Sequence, residues 1–445
     1  MTESFLHYLW QHKQLQGDLK TTAGIPIEIE RVGEYNRNAG PDFLDCRIRI
    51  GGILWAGNVE IHVKASDWNL HAHTGDPNYD TVILHVVYDY DTDIYNSEGK
   101  PIPTLDIHEA YPETLWTGYA ALMQPQLPIE IPCMLQLQEV PNLILNSYID
   151  RLCIERIERK ADDVRRLLDD SNNHWESCCY WMIARYFGGK VNAYAFEMLA
   201  KATPLRILAK IKDKPMRVEA LFMGQAGFLE GEFKDAYPLQ LQKEYQYLRV
   251  AYQLTPMASH LWKFFRMRPS NFPTIRISQL AQLIASSTNL FSKLLETPEV
   301  NDLRKLFDIQ TSDYWHNHYR FDVESEPIGK SAGKSFVDIL LINSWVPVLF
   351  EYGVQHGSQQ YKDQAIAILQ QLPSENNRIV RLWSQAGVVA KDASRSQGEL
   401  QLYNEYCKNK RCLDCAVAYQ LLIKKNRRKD HVANTDPTQS NTPAI

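Results

Sequence analysis

The 445-residue chain has no stretch of about 18 consecutive apolar residues, the length a helix needs to cross a bilayer. Its longest apolar run, Ile339 to Phe350, is interrupted by Asn343 and Pro347. The opening Met1-Thr-Glu-Ser-Phe carries neither a basic leader nor the apolar core of a secretory signal. These absences predict a cytoplasmic protein with no membrane partner. Cysteine is sparse, with eight residues, and a chain this long can bury a sufficient core without disulfides. A surplus of one charge is missing as well: 48 Lys and Arg stand against 53 Asp and Glu, for a net charge of −5. That balance excludes a wholesale phosphate-binding surface but leaves room for a local basic groove. Internal repeats are absent. Hydrophobic residues at 44% and charged residues at 23% exclude disordered, collagen-like and coiled-coil chains.

What is present reads as an α+β protein, an N-terminal mixed β-sheet module followed by a mostly α-helical region. At about 100–200 residues per domain, two or three units are expected. The expected division is an α/β module over 1–125, a helical region with a cysteine cluster over 126–425, and a disordered tail over 426–445. Residues 3–12 read as a short helix with Phe5, Leu6 and Leu9 inward, and Ile25, Ile27 and Ile29 alternate as an edge strand does. Cys46 to Ile50 and Ile53 to Lys64 read as strands joined by a Gly51-Gly52 hairpin. Val82 to Tyr88 is almost continuously apolar, which predicts a central strand covered on both faces. From Pro141 the period becomes helical, with Ile149, Cys153, Ile157, Ala161, Val164 and Leu168 on one stripe. The other face carries Arg151, Arg156, Arg159, Lys160, Arg165 and Arg166, either a solvated face with i,i+4 ion pairs or a path for a polyanion.

The chemistry-bearing residues concentrate in the module. Asp42 precedes one strand, and alternation puts Glu60, His62 and Lys64 on a common face of the next. A polar strand beside a buried apolar one must open into a cleft or find buried partners. The following segment adds Trp68, His71, His73, Asp76 and His85, candidates for substrate contact or for supporting the centre. Each histidine could equally be a satisfied structural residue.

Pro41-Asp42 followed by Glu60 on the next strand resembles the PD-(D/E)XK nuclease superfamily. That resemblance implies a restriction-endonuclease-like module in which Asp42 and Glu60 bind Mg²⁺ or Mn²⁺ and the ion activates water against a phosphodiester. The pattern departs from acid-x-lysine, because His62 stands where the lysine is expected and Lys64 lies two residues further on. At about 3.3 Å per residue, Glu60 and Lys64 are roughly 13 Å apart, so His62 takes the base or water-positioning role and Lys64 the rim. Over nearly its whole length the chain is also similar to an uncharacterised bacterial family, the domain of unknown function 2851. The residues carrying that likeness are Gly40-Pro41-Asp42-Phe43, Gly57 to His62, Ser66-Asp67-Trp68, His71-x-His73, Leu84-His85-Val86-Val87, Gly224 to Leu229 and the C-terminal cysteines.

Cys407, Cys412 and Cys415 fall within nine residues, and with Cys133 as fourth ligand they form a candidate Zn²⁺ or iron–sulfur site. The arrangement resembles the cysteine clusters of some iron–sulfur nucleases; the alternative is a set of small buried hydrophobes. Gly329 to Ser335 ends like a phosphate-binding loop but has the wrong glycine spacing and a polar segment before it, so ATP binding is not expected there. Three functions remain open. The first is a metal-dependent nucleic-acid hydrolase carried by Asp42, Glu60 and His62. The second is a non-catalytic nucleic-acid-binding or protein-interaction adaptor on the same scaffold. In the third, Glu60, His62 and Lys64 are an exposed ion-pair ladder on a structural protein.

Overall fold

The computed structural model describes residues 1–36, 38–123, 130–287 and 289–423. The expected tail over 426–445 lies outside the described residues. The chain divides into two compact units, Met1–Tyr148 with Tyr403–Ile445, and Ile149–Leu402. The boundary expected at 125 thus falls at 148, and the C-terminal segment belongs to the first unit rather than to the helical one.

The first unit is built on a mixed sheet. Helix α1 (Glu3–Gln11) buries Phe5, Leu6 and Leu9 and packs on the sheet. Strands β1 (Ile27–Arg31), β2 (Glu34–Tyr35), β3 (Phe43–Ile50) and β4 (Ile53–Lys64) are followed by a short helix α2 (Asp67–Leu70), then β5 (Val82–Asp89), β6 (Thr104–Asp106) and helix α3 (Glu113–Met123). The strand order is β1-β3-β4-β5-β6, with β2 also on β3. Gly51 and Gly52, at φ 59° and 83°, make the tight β3–β4 hairpin that needs left-handed residues at both positions. β4 then pairs parallel with β5, so residues 65–81 must cross over the sheet before the chain runs in the same direction again. That crossover carries Trp68, His71 and His73. Trp68 anchors it, fully buried against Ile94, Ile102, Tyr79 and Val82. β5 is interior, as its sequence predicts, with Leu84 to Val87 buried, although β4 rather than β5 holds the middle of the strand order.

The second unit is helical around one large core. Helix α4 (Asn142–Asp170) leads into it, and its stripe of Cys153, Ile157, Ala161, Val164 and Leu168 is buried as the periodicity predicts. The opposite face is exposed at Arg151, Arg159, Arg165 and Arg166, as a solvated face is, and several of its cations also meet partners from distant parts of the chain. Arg165 reaches the buried Glu351 at 2.6 Å, Arg166 the buried Glu197 at 3.1 Å, and Arg156 donates to Gln397 at 2.7 Å. Its local pairs include Asp162 with Arg165 and Asp163 with Arg166 at i,i+3 and Arg166 with Asp170 at i,i+4. Residues 334–355 form one helical run, apolar and long enough to span a membrane yet 78% buried inside the protein over its apolar window. Pro347 does not end it because a π-turn, Leu341–Trp345, absorbs the missing N–H just before the proline. Gly224 is required by close approach: a Cβ there would stand 2.1 Å from the Tyr245 ring.

Candidate functional site

Asp42 and Glu60 are held together by reciprocal main-chain bonds. The Asp42 N–H donates to Glu60 Oε2 at 3.1 Å, and the Ile61 N–H donates to Asp42 Oδ2 at 2.9 Å. Asp42 can reach β4 because it enters β3 next to the Phe43–Val59 pair. Beyond it the register shifts around Asp45, a left-handed residue at φ 55°. A carboxylate fixed by a neighbouring N–H keeps its other lone pairs for a cation or a proton.

Two histidines stand against Glu60, and two more join the cluster through His62. His62, on the same face of β4, has Nε2 3.4 Å from Glu60 Oε1, and His73 Nε2 lies 3.3 Å from that same oxygen. His62 Nε2 also stands 3.1 Å from His71 Nδ1, while its Nδ1 faces His85 Nε2 at 2.9 Å. His71 and His73 both turn toward His62 across Ala72, which adopts φ 59°, a left-handed conformation that alanine seldom takes. Packing fixes the rings. Tyr79 stacks on His73 with centroids 3.8 Å apart, and the Trp68 indole meets His73 and His85 edge-on at 5.2 and 5.4 Å. Trp68 is itself pinned by its Nε1–H bond to Thr74 Oγ1 at 3.0 Å. His62, His73 and His85 are buried, and His71 is exposed, so the cluster opens to solvent on the His71 side.

The electrostatics follow from burial. Burial first, and then the Asp42 carboxylate, push the Glu60 acid up to about 9, partly opposed by the Asp42 N–H. His62 is pushed far below the ordinary imidazole range by burial and by the neighbouring His85, His71 and His73 rings. His85 falls to about 3 and His73 also falls, burial leading in each. Burial therefore favours neutral imidazoles at His62, His73 and His85 and a protonated Glu60. Neutral imidazole is the metal-ligating form.

Other predicted residues lie elsewhere. Lys64 is more than half exposed and faces Asp89 at 4.0 Å, its register partner on β5. Asp76 caps the turn Pro77–Tyr79 by accepting from the Asn78 N–H at 2.9 Å, although its charge still raises His73. Lys330, in the phosphate-loop look-alike, is buried and donates to the carbonyls of Trp315, His316 and Ile328, so its ammonium is used inside the fold. Cys133, Cys407, Cys412 and Cys415 are all buried free thiols of the first unit. Burial raises the Cys133 and Cys407 thiols, and the neighbouring cysteines of the set raise both further.

Sequence reasoning missed the contribution of α1. His7 Nε2 lies 3.2 Å from Asp42 Oδ2, and Glu3 is raised above the usual carboxylate range by burial and then by Asp42. The signal was available: Glu3 and His7 are four apart and so share a helix face, away from the buried Phe5, Leu6 and Leu9.

Fold and site together define an α+β protein whose mixed sheet carries an acid–histidine centre under a crossover loop. The chain belongs to the family described as protein of unknown function DUF2851, whose model matches residues 3–378. Cys133 and the whole acid–histidine centre fall inside that match, whereas Cys407, Cys412 and Cys415 lie beyond it. No curated protein and no solved structure matches the chain.

Proposed function

We propose that the first unit is a metal-dependent hydrolase of nucleic-acid phosphodiesters, with Asp42 and Glu60 binding Mg²⁺ or Mn²⁺ and His62 positioning the attacking water. One observation carries the reading: the Glu60 carboxylate accepts from the Asp42 N–H at 3.1 Å and the Asp42 carboxylate from the Ile61 N–H at 2.9 Å, next to a buried histidine. Burial, and after it the Asp42 charge, disfavours an ionised Glu60, and a divalent ion bound between the two acids would offset both. The ion would polarise a phosphate oxygen and the bound water, while a neutral imidazole accepts the water proton as the P–O bond to the leaving sugar oxygen breaks. The test is incubation of purified protein with single-stranded, double-stranded and branched DNA and RNA, with Mg²⁺ or Mn²⁺, beside Asp42→Ala and Glu60→Ala. Cleavage lost in both variants supports the reading, and no cleavage of any substrate removes it.

A second reading has its own support. Lys64 is turned to Asp89, and the basic face of α4 is engaged with Glu197, Glu351 and Gln397, so cations expected to grip phosphates are occupied. A non-catalytic nucleic-acid-binding or protein-interaction adaptor needs only the scaffold. Salt-independent binding without turnover would favour a protein partner over nucleic acid.

A further inference from the structure

We propose that His62, His71 and His73 form a binding site for a nitrogen-preferring divalent transition metal, Zn²⁺ in the first instance, with Glu60 beside the open coordination position. This goes beyond the hydrolase reading and does not depend on it, since the site is defined by its ligand set whatever the substrate.

The three imidazoles each offer one nitrogen, and the three nitrogens lie within 4.8 Å of one another. One pair, His62 Nε2 and His71 Nδ1, is 3.1 Å apart. A tetrahedral ion with Zn–N bonds of 2.0–2.1 Å separates its ligands by about 3.3–3.4 Å. The histidines therefore need only small ring movements to share one ion. His73 Nε2 is the second, independent observation. It is buried, it stands 3.3 Å from Glu60 Oε1, and it makes no hydrogen bond among the described residues. A buried ring nitrogen without a hydrogen bond leaves a lone pair or proton unmet, and a metal ion at the centre of the triad would take that lone pair.

The support around the triad suits ligation. A metal on His62 Nε2 requires its Nδ1 to carry the proton, and that N–H then donates to His85 Nε2 at 2.9 Å, which fixes the tautomers of both rings. Trp68 and Tyr79 hold His73 from two sides. His71, the exposed ligand, leaves one side open, and Glu60 Oε1 stands against two of the three ligand nitrogens, within reach of a water on the fourth position. Three histidines, a water and an adjacent carboxylate favour Zn²⁺ over Mg²⁺, which takes oxygen ligands.

The test strips the full-length protein with chelator and titrates it with CoCl₂, ZnCl₂ or MgCl₂, reading bound metal after dialysis and the visible d–d absorption of Co²⁺. The expected result is a Co²⁺ spectrum typical of four or five ligands without thiolate charge transfer, displaced by Zn²⁺ and not by Mg²⁺. His71→Ala and His73→Ala should each weaken this binding by at least about tenfold. Because His71 is exposed, its variant should melt like the wild type, which separates lost ligation from lost folding. Metal attached to the C-terminal cysteines is distinguished by its thiolate bands, which the histidine variants leave in place. The site is overturned if both variants bind Co²⁺ as the wild type does, or if the chain takes up Mg²⁺ but no Co²⁺ or Zn²⁺. Zinc bound through the triad without cleavage of any nucleic acid would sustain the site and remove the hydrolase reading, whereas Mg²⁺-driven cleavage with no triad metal would do the reverse.

Discussion

Glu197 accepts hydrogen bonds from Arg166 at 3.1 Å and from Arg185 at 2.5 Å, so a carboxylate from one helix of the second unit ties down cations from two others. Lys201 adds a third cation at 3.0 Å. Burial alone would raise this acid, but the three donors outweigh it and hold Glu197 at about 2. Because the folded value lies below the unfolded one, the stabilisation is full above the ordinary carboxylate range and fades as pH falls toward 2. Glu197→Ala should cost about 2–3 kcal/mol in urea unfolding at pH 7, below the ~3–5 of a fully buried pair because the cations are partly exposed. A midpoint unchanged by the substitution would contradict the network.

Glu399 behaves oppositely. Its carboxylate oxygens are buried without hydrogen-bond partners among the described residues, with Arg395 4.0 Å away. Burial raises the acid to about 8 despite that guanidinium. The folded state therefore keeps a proton that the unfolded chain releases. Stability is full below the ordinary carboxylate range and falls as pH rises toward 8, by at most about 1.4 kcal/mol per pH unit for one proton. Glu399→Gln should flatten that slope between pH 6 and 8. Parallel denaturation curves for the two proteins at every pH would refute the assignment.

At the acid centre, Asp42→Asn preserves shape but removes a charge. If the proposed hydrolase is correct, metal-stimulated cleavage should drop by at least about 100-fold, on the scale of a lost charge-stabilising group, while thermal unfolding shifts little. A variant that cleaves normally would put the chemistry elsewhere.

The buried cysteines of the first unit lead to a separate expectation. If Cys133, Cys407, Cys412 and Cys415 ligate Zn²⁺ or an iron–sulfur cluster, anaerobically purified protein should contain that metal at about one site per chain, and Cys412→Ser should lose it. Metal analysis finding neither zinc nor iron in histidine-site variants would leave these as packed thiols.

The module was legible where local rules decide. Gly51-Gly52, the alternation of β4 and the apolar run of β5 each encode their own conformation. The α4 stripe was equally readable, but the distant partners of its basic face were not: Glu197 lies 31 residues beyond Arg166, and Glu351 lies 186 beyond Arg165. A single sequence displays charges without showing which buried acid will meet them. The histidines illustrate the same limit. Their crowding was visible, yet the convergence of His71 and His73 on His62 depends on a left-handed Ala72 that no propensity predicts.

The return of the chain to its first unit has a temporal consequence. Tyr403 donates its hydroxyl to Glu130, 273 residues earlier, and Tyr419 packs its ring 5.0 Å from that of His12, just after α1. At about 5–20 residues per second, a ribosome needs roughly 14–55 s to travel from one of the first pair to the other. Throughout that interval Glu130 and the end of α1 exist without these C-terminal partners, while the helical unit is made in full. A segment made only after the whole helical unit is thus the one that completes the first unit begun.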